Sequence, residues 1–318
     1  MLSNNKTEDG FLLLGFYEYP DLYVSKFLPF LLLYLLCLLE NIVLILVIYL
    51  DLSLHTPMYF FLCNLSLLDI CLTTLILPRF LLIALGWRLV SFLQCLIQLH
   101  LYIALQCLEF CLLTVMSYDR YMAICNPLHY SRVLNKKVCV LLAGVSWLYS
   151  IIDPLPVTYV LSLFSFCSYR EIDHFFCDLM PLLKVSCGDV LKVMTIIFSE
   201  GVILALISFS IILSSYSYII LVIMRMKTAQ AKRKAFSTCS AHLSVIMTLY
   251  LSLVCVYIIP TSDDHSNGKK PVALLNTVLI PILNPILYSL RNKDVKCAIQ
   301  KLLRGKQKIF QQTLVFPP

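Results

Sequence analysis

Seven stretches of this chain are each long and apolar enough to cross a lipid bilayer: about 24 to 50, 57 to 83, 92 to 124, 138 to 162, 191 to 224, 236 to 260 and 270 to 290. A hydrocarbon core of roughly 30 Å needs about 20 helical residues at about 1.5 Å each, so every stretch suffices. Unpaired strand edges cannot face lipid, and the runs are far longer than barrel strands, which leaves spanning α-helices as the only reading. Composition agrees: 60% of residues are hydrophobic and 14% charged, against about 45 to 50% apolar in a soluble domain. The expected fold is an all-α membrane protein, a seven-transmembrane helix bundle with a short amphipathic helix at the cytoplasmic surface. It divides into an extracellular N-terminal tail (1–23), the bundle (24–290) and a cytoplasmic tail (291–318).

An odd number of spans puts the termini on opposite sides, and the basic residues say which is which. Arg120, Arg132, Lys136 and Lys137 follow the third span. Arg225, Lys227, Lys232, Arg233 and Lys234 follow the fifth, and Arg291, Lys293, Lys296, Lys301, Arg304, Lys306 and Lys308 follow the seventh. These sixteen of 25 basic residues share one face, so that face is cytoplasmic and the N-terminus is outside. The net charge of +7 reads as this topology signal, with an anionic inner leaflet as sufficient partner and no nucleic-acid module in view. The first 20 residues lack the basic start, apolar core and cleavage site of a secretory signal, so the first span is expected to act as an uncleaved anchor. Asn5-Lys6-Thr7 is a glycosylation sequon in the outer tail, whereas Asn64-Leu65-Ser66 lies in the second span and is set aside. Residues 291 to 304 place Val295, Ile299, Leu302 and Leu303 on one face amid basic residues, as a helix lying on the inner surface would.

Most of the fourteen cysteines lie within spans, where Cys packs as a small hydrophobe. Cys95, Cys167, Cys177 and Cys187 face the oxidising side, and four cysteines allow three connectivities. Polar groups at membrane depth are costly and point to function. They are Glu40 and Asn41 in the first span, Asp69 in the second, Glu109 in the third, Glu200 in the fifth and Asn284 in the seventh. Asn41, Asp69, Glu109 and Asn284 together could form a hydrated sodium site; the alternative is a set of interhelical hydrogen bonds that only fix packing. No cofactor is expected beyond such a sodium ion acting as an allosteric modulator. At the inner end of the third span stand Asp119, Arg120 and Tyr121, and near the inner end of the seventh Asn284-Pro285-Ile286-Leu287-Tyr288, where Pro285 removes an amide donor and permits a kink.

These motifs carry a resemblance. LHTPMYFFLCNLSLLDIC (54–71), MSYDRYMAICNPLHY (116–130), SYSYI (215–219), KAFSTCSAHL (234–243) and PILNPILYSLRNK (281–293) resemble, in order and spacing, the signatures of the olfactory (odorant) receptors, within the rhodopsin-like G-protein-coupled family. The resemblance implies Cys95–Cys177 and Cys167–Cys187 disulfides, an outward swing of the sixth helix, and rearrangement of Arg120, Tyr216 and Tyr288 on activation. It further implies a small, mostly apolar volatile ligand, and a stimulatory heterotrimeric G protein that raises cyclic AMP. Arg120 held by Asp119 at rest and released to a partner helix fits that role. Ligand contacts are expected from the outer halves of the third, fifth, sixth and seventh helices: Gln98, Tyr102, Ile103 and Gln106, then Leu204, Tyr250, Leu253, Val254, Tyr257 and Thr277. Three positions depart from the family pattern: Glu40 and Gln94 stand where Gly is usual, and Ser117 where Ala is usual.

Other classes fit less well. The intramembrane carboxylates would suit an ion-coupled transporter, but no internal repeat accompanies them. An amine receptor resembles its kin in carrying Asp where this chain has Tyr102, and no Lys stands within the seventh span for a retinal Schiff base. An enzyme is not expected: no Walker loop, HExxH or GxSxG occurs, and His55, His100, His129, His174, His242 and His265 have no metal-ligand spacing.

Overall fold

The computed structural model describes residues 10–15, 21–166, 170–253, 269–291 and 294–302. Its long elements are α1 (Asp21–Leu50), α2 (Pro57–Ala84), α3 (Phe92–Cys125), α5 (Lys136–Ile152), α8 (Val190–Arg225), α9 (Ala229–Leu253) and α10 (Lys269–Arg291). Shorter helices intervene: α4 (Pro127–Val133), α6 (Leu155–Ser162) and α7 (Leu179–Lys184). By length and composition, Phe27–Leu50, Pro57–Ala84, Phe92–Cys125, Lys136–Ser162 and Val190–Arg225 are sufficient to span a membrane. Of the remaining two expected spans, the described residues hold the apolar segments His242–Leu251 in α9 and Thr277–Leu287 in α10.

Sequence chemistry places the helix boundaries. Pro57 opens α2 at a position whose amide would lack a partner anyway. Ser91 caps α3 through a reciprocal pair, Gln94 N–H to Ser91 Oγ at 3.2 Å and Ser91 N–H to Gln94 Oε1 at 3.1 Å. Gln94, one of the departures from the family pattern, thus starts the central helix. The expected fourth span is one run but two helices, because Pro154 has no amide to continue α5. Its carbonyl instead accepts from Thr158 N–H at 3.0 Å and starts α6.

α3 is the hub of the bundle, packed against α2, α4, α5, α6, α8 and α9, while α1 closes the ring against α2 and α10. The core runs down this axis through Phe61, Leu65, Leu68, Ile76, Leu108, Leu112 and Leu249. Outward faces stay apolar where water would not tolerate it: Leu28, Leu32, Leu35, Leu39 and Leu46 on α1, Ile203, Leu206, Leu213 and Ile220 on α8. Such continuous exposed apolar faces are those of a multi-pass membrane protein.

One feature departs from the all-helical expectation. Phe11–Leu13 (β1) pairs antiparallel with Leu89–Val90 (β2) and parallel with Glu171–Ile172 (β3). Phe11 and Leu13 are buried between those loops, so part of the N-terminal tail is a structural cap. Two glycines make it fit. Gly86, at φ +93°, turns the chain from α2 into β2, and a Cβ at Gly10 would lie 2.2 Å from the Val90 carbonyl oxygen. At the other end, the helix over 294–302 lies on the bundle by its expected apolar face: Val295 is fully buried and Ile299 and Leu302 pack on the core. Tyr59 Oη–H to Asp294 at 3.4 Å fastens it to the first turn of α2, and Lys301 to Asp51 at 3.6 Å fastens it to the connection between α1 and α2.

Candidate functional site

At the end of the bundle expected to face outward, the Cys95–Cys177 disulfide, with Cα atoms 5.3 Å apart, ties the loop between α6 and α8 to the first turn of α3. Cys187 is also disulfide-bonded, and Cys167 lies outside the described residues. The loop enters the bundle as a plug of Phe175 and Phe176, both fully buried. Phe175 packs edge-on to Phe80 at 5.7 Å and Phe176 edge-on to Tyr102 at 5.0 Å. Gln98 holds the plug: its Oε1 accepts from Cys177 N–H and its Nε2 donates to the Leu75 carbonyl, both at 3.0 Å. Both ends of that amide bridge protein groups. Asp178, immediately after, caps α7 by accepting from Leu179 N–H at 2.8 Å, and burial pushes its carboxyl up to about 6.

Below the plug, Ile103, Gln106 and Leu204 are half-buried and Thr277 is buried, its hydroxyl bonded to the Leu274 carbonyl. Tyr250 joins three helices, donating to Ser208 Oγ at 3.1 Å while Ser208 bonds Thr114 at 2.7 Å. Its ring packs between Phe110 and Phe209. Val254 and Tyr257 lie outside the described residues, as do the side chain of Leu253 and the sequon Asn5.

Mid-bundle, the four expected polar residues are all buried. Asn284 Nδ2 donates to both oxygens of Asp69, at 3.2 and 3.1 Å. Asn41 Nδ2 donates to the Cys37 and Pro281 carbonyls at 3.0 and 3.2 Å. Glu109 Oε1 and Asn41 Oδ1 are buried acceptors with no donor. No group of three or more His, Cys, Asp and Glu residues arranged to hold a metal ion occurs among the described residues. Glu200 and Glu40 are half-buried on α8 and α1.

At the opposite end of the bundle, Asp119 is fully buried and bonded on both oxygens. Arg120 Nε donates to Oδ2 at 2.9 Å, with an ion pair from Nη2 to the same oxygen, and Tyr130 Oη–H donates to Oδ1 at 2.8 Å. Tyr121 packs against Tyr118 and Tyr218, and Tyr216 Oη bonds His242 Nδ1 at 2.7 Å. Pro285 is buried in α10, and the side chain of Tyr288 lies outside the described residues.

A family model described as olfactory receptor matches residues 30–306. The chain belongs to the olfactory receptor family. Olfactory receptor 1G1 of Gorilla gorilla gorilla is 42% identical over 294 residues, 92% of this chain and 94% of that protein. Olfactory receptor 1M1 of Mus musculus is 41% identical over 306 residues (95% and 97%), and olfactory receptor 2G3 of Homo sapiens 41% over 307 (96% and 99%).

Within this olfactory receptor, three couplings were not singled out from the sequence. Tyr130 stands in the quoted motif but eleven residues from Asp119, and only the turn at Asn126-Pro127 brings it back. His242 pairs with Tyr216 across α8 and α9. Asn64, set aside as a sequon, accepts from Trp147 Nε1–H at 3.1 Å and so joins α2 to α5. For His242 and Asn64 a polar residue inside an apolar run was the available signal, but neither names its partner.

Proposed function

We propose that this olfactory receptor takes a small, mostly apolar volatile ligand in the outer half of the bundle, with its N-terminus outside and its C-terminus cytoplasmic. Ligand binding activates a stimulatory heterotrimeric G protein and raises cyclic AMP. The observation that carries the reading is the state of Asp119: buried, and tied to Arg120 and Tyr130 where α3 meets the inner surface. The opposite end of the same helix is braced to the Phe175–Phe176 plug through Cys95 and Gln98. A ligand beneath the plug that favours one arrangement of α3 and its neighbours shifts the population at Asp119, since differential affinity is all that a switch requires. Release of Arg120 then frees a five-donor guanidinium for carbonyl groups of the G protein.

The ion-linked reading belongs to the same proposal. Asn41, Asp69, Glu109 and Asn284 would hold a sodium ion, with the unpaired Asn41 and Glu109 acceptors fitting a cation better than a packing role. When bound, the ion supplies positive charge between two buried carboxylates and thereby stabilises the resting packing of α2, α3 and α10.

Cells expressing the chain, screened with a volatile panel, are expected to raise cyclic AMP for some members, and Arg120→Ala to lose that response at equal surface display. A response unchanged by Arg120→Ala would refute the proposed role of the arginine. Substrate-dependent uptake or current in membranes holding only this chain would favour a transporter instead.

A further inference from the structure

The chain that closes the end of the bundle expected to face outward is held from two sides. β3 runs directly into the Phe175–Phe176 plug, and β1 is the strand paired with it. Leu12 and Leu14 N–H donate to the Arg170 and Ile172 carbonyls, both at 2.9 Å, and Gly15 N–H donates to the His174 carbonyl at 3.0 Å. The His174 ring in turn stacks on Phe175, with centroids 4.4 Å apart, and meets Phe176 edge-on at 4.6 Å. Beyond the plug, Cys177 is fixed by its disulfide to Cys95 and by its amide bond to Gln98. Phe175 and Phe176 are therefore the two residues between two clamps, and the N-terminal strand is one of the clamps.

β1 can bear that role because it is itself anchored. Phe11 and Leu13 are buried, Phe11 packs edge-on to Phe166 at 4.9 Å, and Leu13 N–H donates to the Arg88 carbonyl at 3.0 Å on the β2 side. Lying between β2 and β3, the strand ties the plug loop to the connection between α2 and α3. Its sensitive point is Gly15, which is buried and leaves the strand at φ +61°. That left-handed conformation is open to glycine and resisted by other L residues. The amide that reaches His174 thus belongs to a residue whose backbone depends on having no Cβ.

From this arrangement we propose that β1 is a positioning element of the ligand site: it sets how often the Phe175–Phe176 plug opens, and it acts through Gly15. A plug freed at His174 but still fixed at Cys177 can swing away from Phe80 and Tyr102, which its two rings cover. Ile103 and Gln106, half-buried below, then become accessible. Three amides make a ladder short enough to open locally without unfolding the bundle. That the space beneath the plug receives the ligand rests on the function proposed above; the hold of β1 on the plug does not.

The full chain carrying Gln106→Cys, purified in detergent, is exposed to a small methanethiosulfonate, and labelling at position 106 is timed by mass spectrometry. Adding Gly15→Ala should raise that rate by about five- to thirtyfold, the cost of a left-handed L residue expressed as an opening equilibrium. Cys125, half-buried at the opposite end of α3, should be labelled at an unchanged rate. A merely structural role for Gly15 would instead lower the melting temperature and speed both positions together, or neither. In the reverse direction, Leu12→Cys with Glu171→Cys, register partners in the sheet, should form a disulfide between β1 and β3 and slow labelling at 106 below the rate without it. Should Gly15→Ala fail to fold, judged by its elution and melting, that crosslinked variant decides the matter. Rates at 106 that ignore both changes, or that rise only in step with Cys125, overturn the proposal. No ligand enters these rates, so failure here is separate from failure of the ligand reading, which the cyclic AMP screen reports.

Discussion

Tyr130 should set the basal activity of the receptor. Its hydroxyl donates to Asp119 Oδ1 at 2.8 Å, on a carboxylate that is fully buried and whose other oxygen holds Arg120. Burial, and then the neighbouring carboxylate, raises the Tyr130 hydroxyl above its ordinary range, so it keeps its proton and remains the donor. Tyr130→Phe removes that one bond and little volume. A hydrogen bond to a charged group is worth about 1.5 to 3 kcal/mol, and the loss is specific to the resting state if activation frees Arg120 from Asp119. An active state populated at about 1% would then rise to roughly 10% or more, since about 1.4 kcal/mol is a factor of ten. The assay is basal cyclic AMP per displayed receptor, with display measured by flow cytometry on an N-terminal epitope. A basal signal unchanged at equal display would refute the reasoning, by showing that the bond is kept in both states or contributes nothing. The double variant Tyr130→Phe with Arg120→Ala should be silent; a raised signal there would mean that the effect bypasses the arginine.

The outer cap yields two further expectations. Gly10→Val places a Cβ 2.2 Å from the Val90 carbonyl oxygen and should unpair β1 from β2. The expected loss is about 1 to 3 kcal/mol, read as a lower melting temperature of the purified receptor; an unchanged transition would show that the strand does not support the fold. Asp178 should make the cap sensitive to acid in a direction opposite to the usual carboxylate. Its carboxyl is held at about 6, above the ordinary value of 3.8, by burial. Its stabilising contribution is therefore full below pH 3.8 and lost as pH rises through 6. For a half-buried group the effect is at most about 1 to 3 kcal/mol. Melting temperature should rise from pH 7.5 towards pH 5, about the span over which that proton is gained, and Asp178→Asn should flatten the rise. A rise equally steep in the variant would assign it to other groups.

How much of this was legible beforehand depends on the range of the signal. Hydropathy is local, so the apolar runs were readable, and the described helices overlap them. The fourth run shows the limit: its hydropathy is continuous from 138 to 162, but Pro154 breaks the hydrogen-bond ladder between α5 and α6. Amphipathic period was equally local, and it identified Val295, Ile299 and Leu302 on the inner surface helix. The β1 cap was not legible, because three residues of Phe and Leu at the edge of a polar tail carry no pattern until two distant loops offer strand edges. For the same reason the burial of Asp69, Glu109 and Asn284 could be expected, while the pairing of Asn64 with Trp147 could not.

Gln98 shows what separates listing a pocket from building one. Periodicity alone puts it on the inward face of α3 beside Tyr102, a natural position for a polar contact to ligand. In the folded chain its carbonyl takes the Cys177 amide and its amide nitrogen reaches the Leu75 carbonyl. An amide has more hydrogen-bonding capacity than these two bonds consume, but its plane is fixed by them, so any ligand contact must come in the direction they leave free. Tyr102 is likewise fixed, through its ring against Phe176. The outer half of α3 therefore presents a ligand with side chains already oriented by the loop that covers it. Specificity then resides jointly in α3 and in the loop carrying Phe175 and Phe176. Substitutions in that loop should alter ligand preference even where the helix is untouched, by an amount set by how far the Phe176 and Tyr102 rings move together.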